Sequence, residues 1–211
     1  GTFAHVPGLD VFMPSTAADA AGLLRAAFRS ARPTLLLYPK ALLNSAAHAS
    51  PIDAATHLVP LGVSRRVRSG RDLTLVGWGN TVALCERAAV ALEAAGADAE
   101  VIDLRSLSPW DHKAVVASAE RTRRLIVVHE DSHTGGFGAE VLATVAERAN
   151  ALVAMRRVAR PDTHVPCNYA NQVEVLPSYR AVLEAAAQLL GFELTWKKPR
   201  ERHDGVVVVE A

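Results

Sequence analysis

The densest group of titratable side chains in this sequence is the segment His129-Glu130-Asp131-Ser132-His133. Two imidazoles beside a carboxylate can act as acid–base groups or as metal ligands. The same residues also suit a polar loop at a subunit contact, with His129 buried and its hydrogen bonds satisfied. The spacing alone favours this second interpretation, and it leaves the chemistry of the segment open.

A glycine-rich run, Thr134-Gly135-Gly136-Phe137-Gly138, follows directly. It lacks the G-x-G-x-x-G spacing of dinucleotide-binding loops and the lysine of a P-loop. Glycine instead permits a tight turn and a close approach between a helix and its neighbours. We therefore expect these glycines to shape the backbone rather than to bind a phosphate.

Other candidate groups in the chain favour structural interpretations. The sequence has no G-x-S-x-G nucleophile elbow, and the serines and threonine that precede predicted helices are expected to cap them. These are Ser15 or Thr16 before the first helix and Ser178 before the last, and Asp111 is expected to cap the helix that ends near residue 121. Cys167 has no base beside it in the sequence, so a reactive thiol is not expected. Asp103 and Arg105 close a predicted strand, where they can pair with each other or steer a partner, and a structural ion pair is the favoured interpretation.

Composition excludes several classes of function. The 211 residues are 50% hydrophobic and 21% charged, and the net charge is +1, so neither a disordered chain nor a basic nucleic-acid or membrane surface is indicated. Two cysteines cannot form a disulfide framework, which favours a reducing compartment. No apolar run is long enough for a membrane span, and no signal peptide is recognisable. The chain opens on Gly1 rather than Met, which suggests part of a longer or processed polypeptide.

Strands and helices alternate along the chain, and they place the titratable segment at a strand end. Hydrophobic periodicity predicts strands at 10–13, 34–38, 73–77, 99–104, 125–129 and 152–158, with a short edge strand within 59–67. Helices are predicted at 17–30, 81–95, 111–121 and 178–190, and another follows the glycine-rich run. This order predicts an α/β fold, a mostly parallel sheet flanked by helices, preceded by a terminal β-α-β piece of a second α/β domain. Ligands and partners usually bind at the carboxyl edge of such a sheet.

The pattern divides the chain into four parts. Residues 1–45 form the β-α-β piece, which two strands cannot stabilise alone, so we expect it to be the end of an incomplete domain. Residues 46–70 are predicted to be a linker, residues 71–190 a complete domain, and residues 191–211 an extension.

Several segments, taken in order, carry a resemblance to a known family. They include Pro14-Ser15-Thr16, Tyr38-Pro39-Lys40, Leu73 to Gly79, Val101 to Asp111, Val128-His129-Glu130, Thr134 to Gly138, Pro161-Asp162-Thr163 and Leu176-Pro177. In this order the chain resembles the beta subunit of thiamine diphosphate-dependent 2-oxo acid dehydrogenases, over roughly residues 3–190. Trp78-Gly79 and Pro109-Trp110-Asp111 are most similar to the branched-chain type.

The resemblance implies both a fold and a function. Residues 1–45 would be the end of a pyrimidine-binding domain, and residues 71–190 a transketolase-type C-terminal domain. The family's assembly decarboxylates a 2-oxo acid on thiamine diphosphate with Mg²⁺ and transfers the acyl group to a lipoyl arm. This portion would serve subunit assembly and docking. The implied partners are an alpha subunit or fused alpha region, a second beta chain and the lipoyl acyltransferase; neither nucleic acid nor membrane is implied.

The resemblance assigns no catalytic or cofactor-binding residue to this chain. The family's conserved glutamate and active-site histidine match positions upstream of Phe3, so the chain alone is expected to be inactive. The family's potassium position matches the carbonyls of Ala27 and Phe28, but Ser30 and Arg32 replace common acidic and asparagine residues there, which makes the ion doubtful. Interface residues are expected at His129, Glu130, Gly135 and Gly136.

Two alternatives remain open at this point. One is the matching domain of another thiamine enzyme, such as transketolase or deoxyxylulose-phosphate synthase. The other is a non-enzymatic assembly module that carries only the domain. The expected location is the cytoplasm, or the mitochondrial matrix in a eukaryote.

Overall fold

The computed structural model describes residues 1–44, 46, 49–50 and 56–193, which form two sheets flanked by helices. The strands are β1 (Asp10–Phe12), β2 (Thr34–Leu36), β3 (Arg65–Arg68), β4 (Leu73–Gly77), β5 (Ala99–Asp103), β6 (Ser106–Ser108), β7 (Arg124–Ser132) and β8 (Ala154–Arg160). The helices are α1 (Ala17–Arg29), α2 (Thr81–Ala94), α3 (His112–Thr122), α4 (Phe137–Arg148), α5 (Tyr169–Val175) and α6 (Tyr179–Leu190), with a 3-10 turn at Lys40–Leu42. The predicted extension lies outside the described residues from residue 194 onward.

The larger sheet confirms the predicted α/β class. Its strand order is β3-β5-β4-β7-β8, with β5, β4, β7 and β8 parallel and β3 antiparallel at one edge. Strand β4 is buried along its whole length, as a strand covered by helices on both faces must be. The predicted edge strand is present at Arg65–Arg68, so the segment predicted to be a linker ends inside this sheet.

The smaller sheet joins the first 45 residues to the rest of the chain. Strands β1 and β2 are parallel, as the β-α-β pattern predicted. On its other side β1 pairs with β6 in the antiparallel sense, and β6 comes from the second half of the chain. The sequence did not predict β6, because Ser106-Leu107-Ser108 is too short to show a period. Residues 1–45, which we call the first segment, are therefore part of the folded core, because β6 from the remainder of the chain, the second segment, completes their sheet.

Two apolar clusters fill the two faces of the larger sheet. One packs α2 and α6 against residues such as Leu75, Ile126 and Val158. The other lies on the side of α3 and α4, and it includes Val11 from β1 beside Trp78. The first segment thus shares a hydrophobic core with the second, in addition to sharing a sheet.

Helix starts follow the predicted capping residues. The side chains of Thr16, Asp111 and Ser178 each accept a hydrogen bond from a backbone N–H in the first turn of α1, α3 and α6. Helix α5, capped by Asn168, was missed, because it is only 7 residues long and follows a proline-rich segment. None of the described helices combines the length and apolarity that a bilayer span needs.

Buried charges cross the boundary between the two segments. Asp19 in α1 pairs with Arg105 (Oδ1–Nη1, 2.7 Å) and with Arg65 (Oδ2–Nε, 3.1 Å). Asp103, at the end of β5, pairs with Arg65 (Oδ2–Nη2, 3.2 Å) and accepts a hydrogen bond from Ser15 Oγ at 2.5 Å. Burial raises the pKa of Asp103 to about 6. We call these five residues the charge cluster.

The charge cluster corrects the sequence prediction in one respect. Asp103 and Arg105 do take part in structural ion pairs, but with Arg65 and Asp19 rather than with each other. Only the backbone N–H of Arg105 reaches Asp103 Oδ1, at 3.0 Å. Pairing partners 86 residues apart could not be inferred from spacing in the sequence.

Candidate functional site

The titratable segment belongs mostly to a strand. Strand β7 was predicted to end at His129, but it continues through Glu130 and Asp131 to Ser132. Its pairing with β8 shifts register between His129 and Ser132, which marks an irregularity in the ladder. The connection to α4 is therefore short, and it consists of residues 133–136.

His129 lies inside the protein. Its side chain has 0% of its surface exposed, and its ring stacks on Trp78 with a centroid distance of 5.4 Å and an interplanar angle of 10°. Phe137, the first residue of α4, packs edge-on against the same indole. Neither ring nitrogen of His129 has a hydrogen-bond partner in the described part of the chain, so the expectation that its hydrogen bonds are satisfied is wrong.

Two glycines make room for this imidazole. A Cβ atom at Gly138 would overlap His129 Nε2, and one at Gly136 would lie 2.7 Å from His129 Cε1. Any side chain at either position would push α4 away from β7. Gly135 has a different role, because its φ of +71° lies in the left-handed region that favours glycine. The glycine-rich run thus provides the tight turn and close helix packing expected from the sequence.

Burial also sets the ionisation state of His129. Loss of solvent lowers its pKa from 6.5 to about 4, against the opposing charge of Asp131. The ring is therefore neutral at pH 7. In the described part of the chain a substrate has no access to this ring, so the geometry does not favour the acid–base interpretation for this residue.

Glu130 is the polar anchor of the site. Its Oε1 accepts a hydrogen bond at 2.5 Å from Nδ2 of Asn80, at the start of α2. Its backbone carbonyl accepts a longer bond, 3.4 Å, from Nε of Arg160 at the end of β8. Glu130 is half-buried, and it connects three elements at the carboxyl edge of the sheet.

The residues above Glu130 form an exposed rim. His133, Thr134 and Gly135 are exposed, whereas Gly136 is buried beneath them. Asp162 holds this rim to the proline-rich segment, because its carboxylate accepts from the Thr134 N–H (2.9 Å) and from Thr134 Oγ1 (2.6 Å). We use the term rim for residues 133–135.

A groove of about 690 Å³ opens beside the rim, at the carboxyl end of β8. It is lined by Ser132, Thr134, Arg160, Asp162, Thr163, His164 and Val165. Sequence reasoning did not combine these residues, because 28 positions separate Thr134 from Asp162. The one signal in the sequence was the Pro161-Asp162-Thr163 segment, which contributes to the family resemblance and follows β8 in the site.

The described residues contain no group of three or more His, Cys, Asp or Glu side chains placed to bind a metal ion. His129 and His133 do not converge, since one is buried and the other is exposed.

The predicted potassium position lies at the C-terminus of α1. The Ala27 carbonyl there accepts the Ser30 N–H at 3.0 Å, and Phe28 is exposed. Arg32 Nε pairs with Asp10 Oδ1 at 2.8 Å, which places a guanidinium in the same turn. The potassium assignment stays a prediction.

We predict that His129 makes folding sensitive to acid. The unfolded chain binds the histidine proton first, so this residue lowers the free energy of unfolding as pH falls from about 6.5 to about 4. The loss amounts to about 3 kcal/mol over that interval. The His129→Leu variant should lack this dependence of the free energy of unfolding on pH, measured by urea unfolding across the same range and compared with the wild type.

The quantity to compare is the slope of the free energy of unfolding against pH in the wild type and in the variant, because Asp103 contributes a slope of opposite sign in both. Its raised pKa makes folding less favourable as pH rises from about 3.8 to about 6. His133→Leu, at an exposed histidine of the same segment, serves as the matched control. An acid slope in His129→Leu equal to that of the control would contradict the assignment.

Comparison with known proteins agrees with this fold. A family model described as "Transketolase, C-terminal domain" matches residues 62–182, and one described as "Transketolase, pyrimidine binding domain" matches residues 1–45. A solved structure titled "Split gene transketolase, inactive beta4 tetramer" is similar with a TM-score of 0.75 at 25% identity, covering 90% of this chain and 60% of that one.

Curated relatives carry more specific names. The chain is 35% identical over 192 residues to 2-oxoisovalerate dehydrogenase subunit beta 2, mitochondrial, of Arabidopsis thaliana, covering 90% of this chain and 52% of the relative. It is 39% identical over 194 residues to the pyruvate dehydrogenase E1 component subunit beta of Bacillus subtilis, covering 91% and 59%. The chain thus spans about half the length of these relatives, and the resemblance to such beta subunits is confirmed. Because the first family model matches more than half of its residues, this protein belongs to the transketolase C-terminal domain family.

Proposed function

We propose that this chain is a portion of the beta chain of a 2-oxo acid dehydrogenase and serves subunit assembly and docking. The relatives that match nine-tenths of the chain bear the names of such beta subunits. The observation that carries the assembly role is the state of His129, which is neutral and fully buried in the main titratable cluster. A histidine buried in this way supports the surface above it rather than reaching a substrate.

The cofactor of the whole enzyme would be thiamine diphosphate with Mg²⁺, bound outside this chain or at a site that this chain only borders. This proposal rests on the family resemblance, because the family model of a pyrimidine-binding domain matches residues 1–45 and the relatives are named as beta subunits of 2-oxo acid dehydrogenases. Mg²⁺ is held by carboxylate and other oxygen ligands, usually beside the phosphates of its substrate or cofactor. No chemical step is assigned to residues of this chain.

The rim is the surface that we propose for the contact with a second beta chain. His133, Thr134 and Gly135 are exposed there, and the half-buried Glu130 lies beside them. His129 and Gly136 would support this contact from below, because neither is exposed. The split-gene transketolase relative is described as an inactive tetramer of beta chains, and we propose the same combination of self-association and inactivity for this chain.

The further partners that we propose are an alpha subunit or fused alpha region and the lipoyl acyltransferase component. The family resemblance implies both, and the words "subunit beta" and "E1 component" in the names of the curated relatives support the presence of further subunits. The location would be the mitochondrial matrix or, in a bacterium, the cytoplasm, because relatives of both origins match the chain.

One rival assignment has a specific observation behind it. The solved relative is a transketolase, so the chain could be part of an enzyme that transfers ketol groups rather than one that oxidises 2-oxo acids. A second rival is a non-enzymatic assembly module. Activity measured after reconstitution separates all three assignments.

We predict that the purified chain, supplied with thiamine diphosphate and Mg²⁺, neither decarboxylates 2-oxoisovalerate or pyruvate nor transfers ketol groups. Adding an alpha subunit and the N-terminal half of a related beta subunit should restore decarboxylation, measured by reduction of an artificial electron acceptor. Decarboxylation by the chain alone would contradict the proposal. Restored ketol transfer would support the transketolase rival, and tight binding without any activity would support the assembly module.

The rim makes a second, separable prediction. Gly135→Tyr should weaken self-association by at least about tenfold, measured by sedimentation velocity, because a bulky side chain would stand on the contact surface. Gly96→Tyr is a matched control, since Gly96 is also exposed, has a φ of +86° and has open space around its Cβ position. Both substitutions carry a similar backbone cost of about 1 kcal/mol. Equal association of the two variants would contradict the rim as an interface.

A further inference from the structure

Strand β8 presents an open edge. It lies at the end of the larger sheet and pairs only with β7 among the described strands. The Ala154 N–H donates to Arg123 O at 3.0 Å, and the Arg160 carbonyl accepts the His133 N–H at 2.8 Å. In a parallel ladder, alternate residues bond to the same neighbour. The even-numbered residues of β8 therefore face β7, and Met155, Arg157 and Ala159 direct their N–H and C=O groups outward.

Arginines flank this edge on both faces of the sheet. Val158 packs into the core beside α2 and α6, and Arg156 and Arg160 share its face because side chains alternate along a strand. Met155 packs into the core beside α3 and α4, which places Arg157 on the opposite face. Arg156 is exposed, and the other two arginines are partly exposed.

None of these three arginines forms an ion pair with a carboxylate in the described part of the chain. Arg156 donates to the Met155 carbonyl at 3.1 Å, and Arg157 to the His133 carbonyl at 2.6 Å. Arg160 donates to Ser132 Oγ at 2.5 Å and reaches two carbonyls at 3.4 Å. Arg160 helps to stabilise the carboxylate of Asp162, which lines the same groove. Arg156 and Arg157 carry the uncompensated positive charge of this strand, although the whole chain has a net charge of only +1.

This charge pattern selects the occupant of the edge. A second copy of β8 would bring arginines close to arginines, and like charges on neighbouring strands destabilise the pairing. An acidic strand would instead place carboxylates beside Arg156 on one face or beside Arg157 on the other, while its backbone satisfied Met155, Arg157 and Ala159. Arginine–carboxylate pairs of this kind are among the stronger polar contacts.

We propose that the β8 edge docks an extended, acidic segment of a partner protein, which adds to the sheet as a further strand. Main-chain hydrogen bonds would supply part of the affinity, and the arginines would select for carboxylates. This docking surface lies on β8, whereas the rim belongs to the connection between β7 and α4. The docking proposal holds whether the enzyme that contains this chain oxidises 2-oxo acids or transfers ketol groups.

The probe for this proposal is a fluorescent seven-residue peptide of alternating glutamate and valine, which matches the length of β8. Two control peptides accompany it. One replaces each glutamate with lysine, and the other replaces each valine with proline, which keeps the charge but removes every second N–H donor and disfavours strand pairing. Fluorescence anisotropy at low salt should show binding of the first peptide, at least about tenfold weaker binding of the proline peptide, and none of the lysine peptide.

Variants of the protein test the charge contribution and the main-chain hydrogen bonds separately. Arg156→Glu/Arg157→Glu should weaken acidic-peptide binding by at least about tenfold and allow the lysine peptide to bind. The control is Arg29→Glu/Arg66→Glu, which makes the same charge change at two exposed arginines of other elements. Ala159→Pro removes one outward N–H and should abolish binding, because the added strand loses a partner for its backbone. The variant should still fold, since proline is tolerated on an edge strand.

Hydrogen exchange on the wild type covers the case in which Ala159→Pro does not fold. The acidic peptide should slow exchange at Met155, Arg157 and Ala159. Equal binding of the glutamate–valine and proline peptides would overturn strand addition, because charge alone would then explain the affinity. Self-association that the acidic peptide disrupts would also overturn the proposal, by making a second copy the occupant of the edge.

Discussion

The structure depends on the neutralisation of buried charges where two segments of the chain meet. Asp19 in α1 has 4% of its surface exposed and Asp103 at the end of β5 has none, so neither carboxylate is solvated. Arg105 and Arg65 supply the compensating charge from the second segment. Removal of one member of a buried pair typically costs about 3–5 kcal/mol, because its partner stays buried and unpaired. Together with the pairing of β1 and β6, these ion pairs hold residues 1–45 in place.

The same connection positions the candidate site. Val11 of β1 belongs to the core that contains Trp78, and Trp78 stacks on His129. His129 in turn requires glycine at positions 136 and 138, which brings α4 close to β7 and leaves residues 133–135 outside. The titratable cluster noticed in the sequence therefore forms the support of a surface. This arrangement agrees with the proposed role in subunit assembly and docking.

The sequence predicted what depends on local patterns and missed what depends on distant contacts. Thr16, Asp111 and Ser178 were recognisable as caps, because a cap bonds to its own helix. Strands such as Leu73–Gly77 were recognisable from continuous apolar runs. Strand β6 and the partners of Asp103 could not be found in this way, since each is defined by a segment some 90 positions away. The sequence did predict a buried His129, but it could not show that both ring nitrogens lack hydrogen-bond partners among the described residues, because this results from packing on Trp78.

The most direct test of the central claim is a double-mutant cycle between Asp19 and Arg105, in which the free energy of unfolding is measured with urea at pH 7. Asp19→Asn, Arg105→Met and the double variant are compared with the wild type, and Arg71→Met provides a control at an exposed pair with a separation of 3.9 Å. If the buried pair holds the two segments together, the coupling energy should be about 2 kcal/mol, and the control should change stability by less than about 0.5 kcal/mol. Additive effects of the two substitutions, with no coupling energy, would contradict this account.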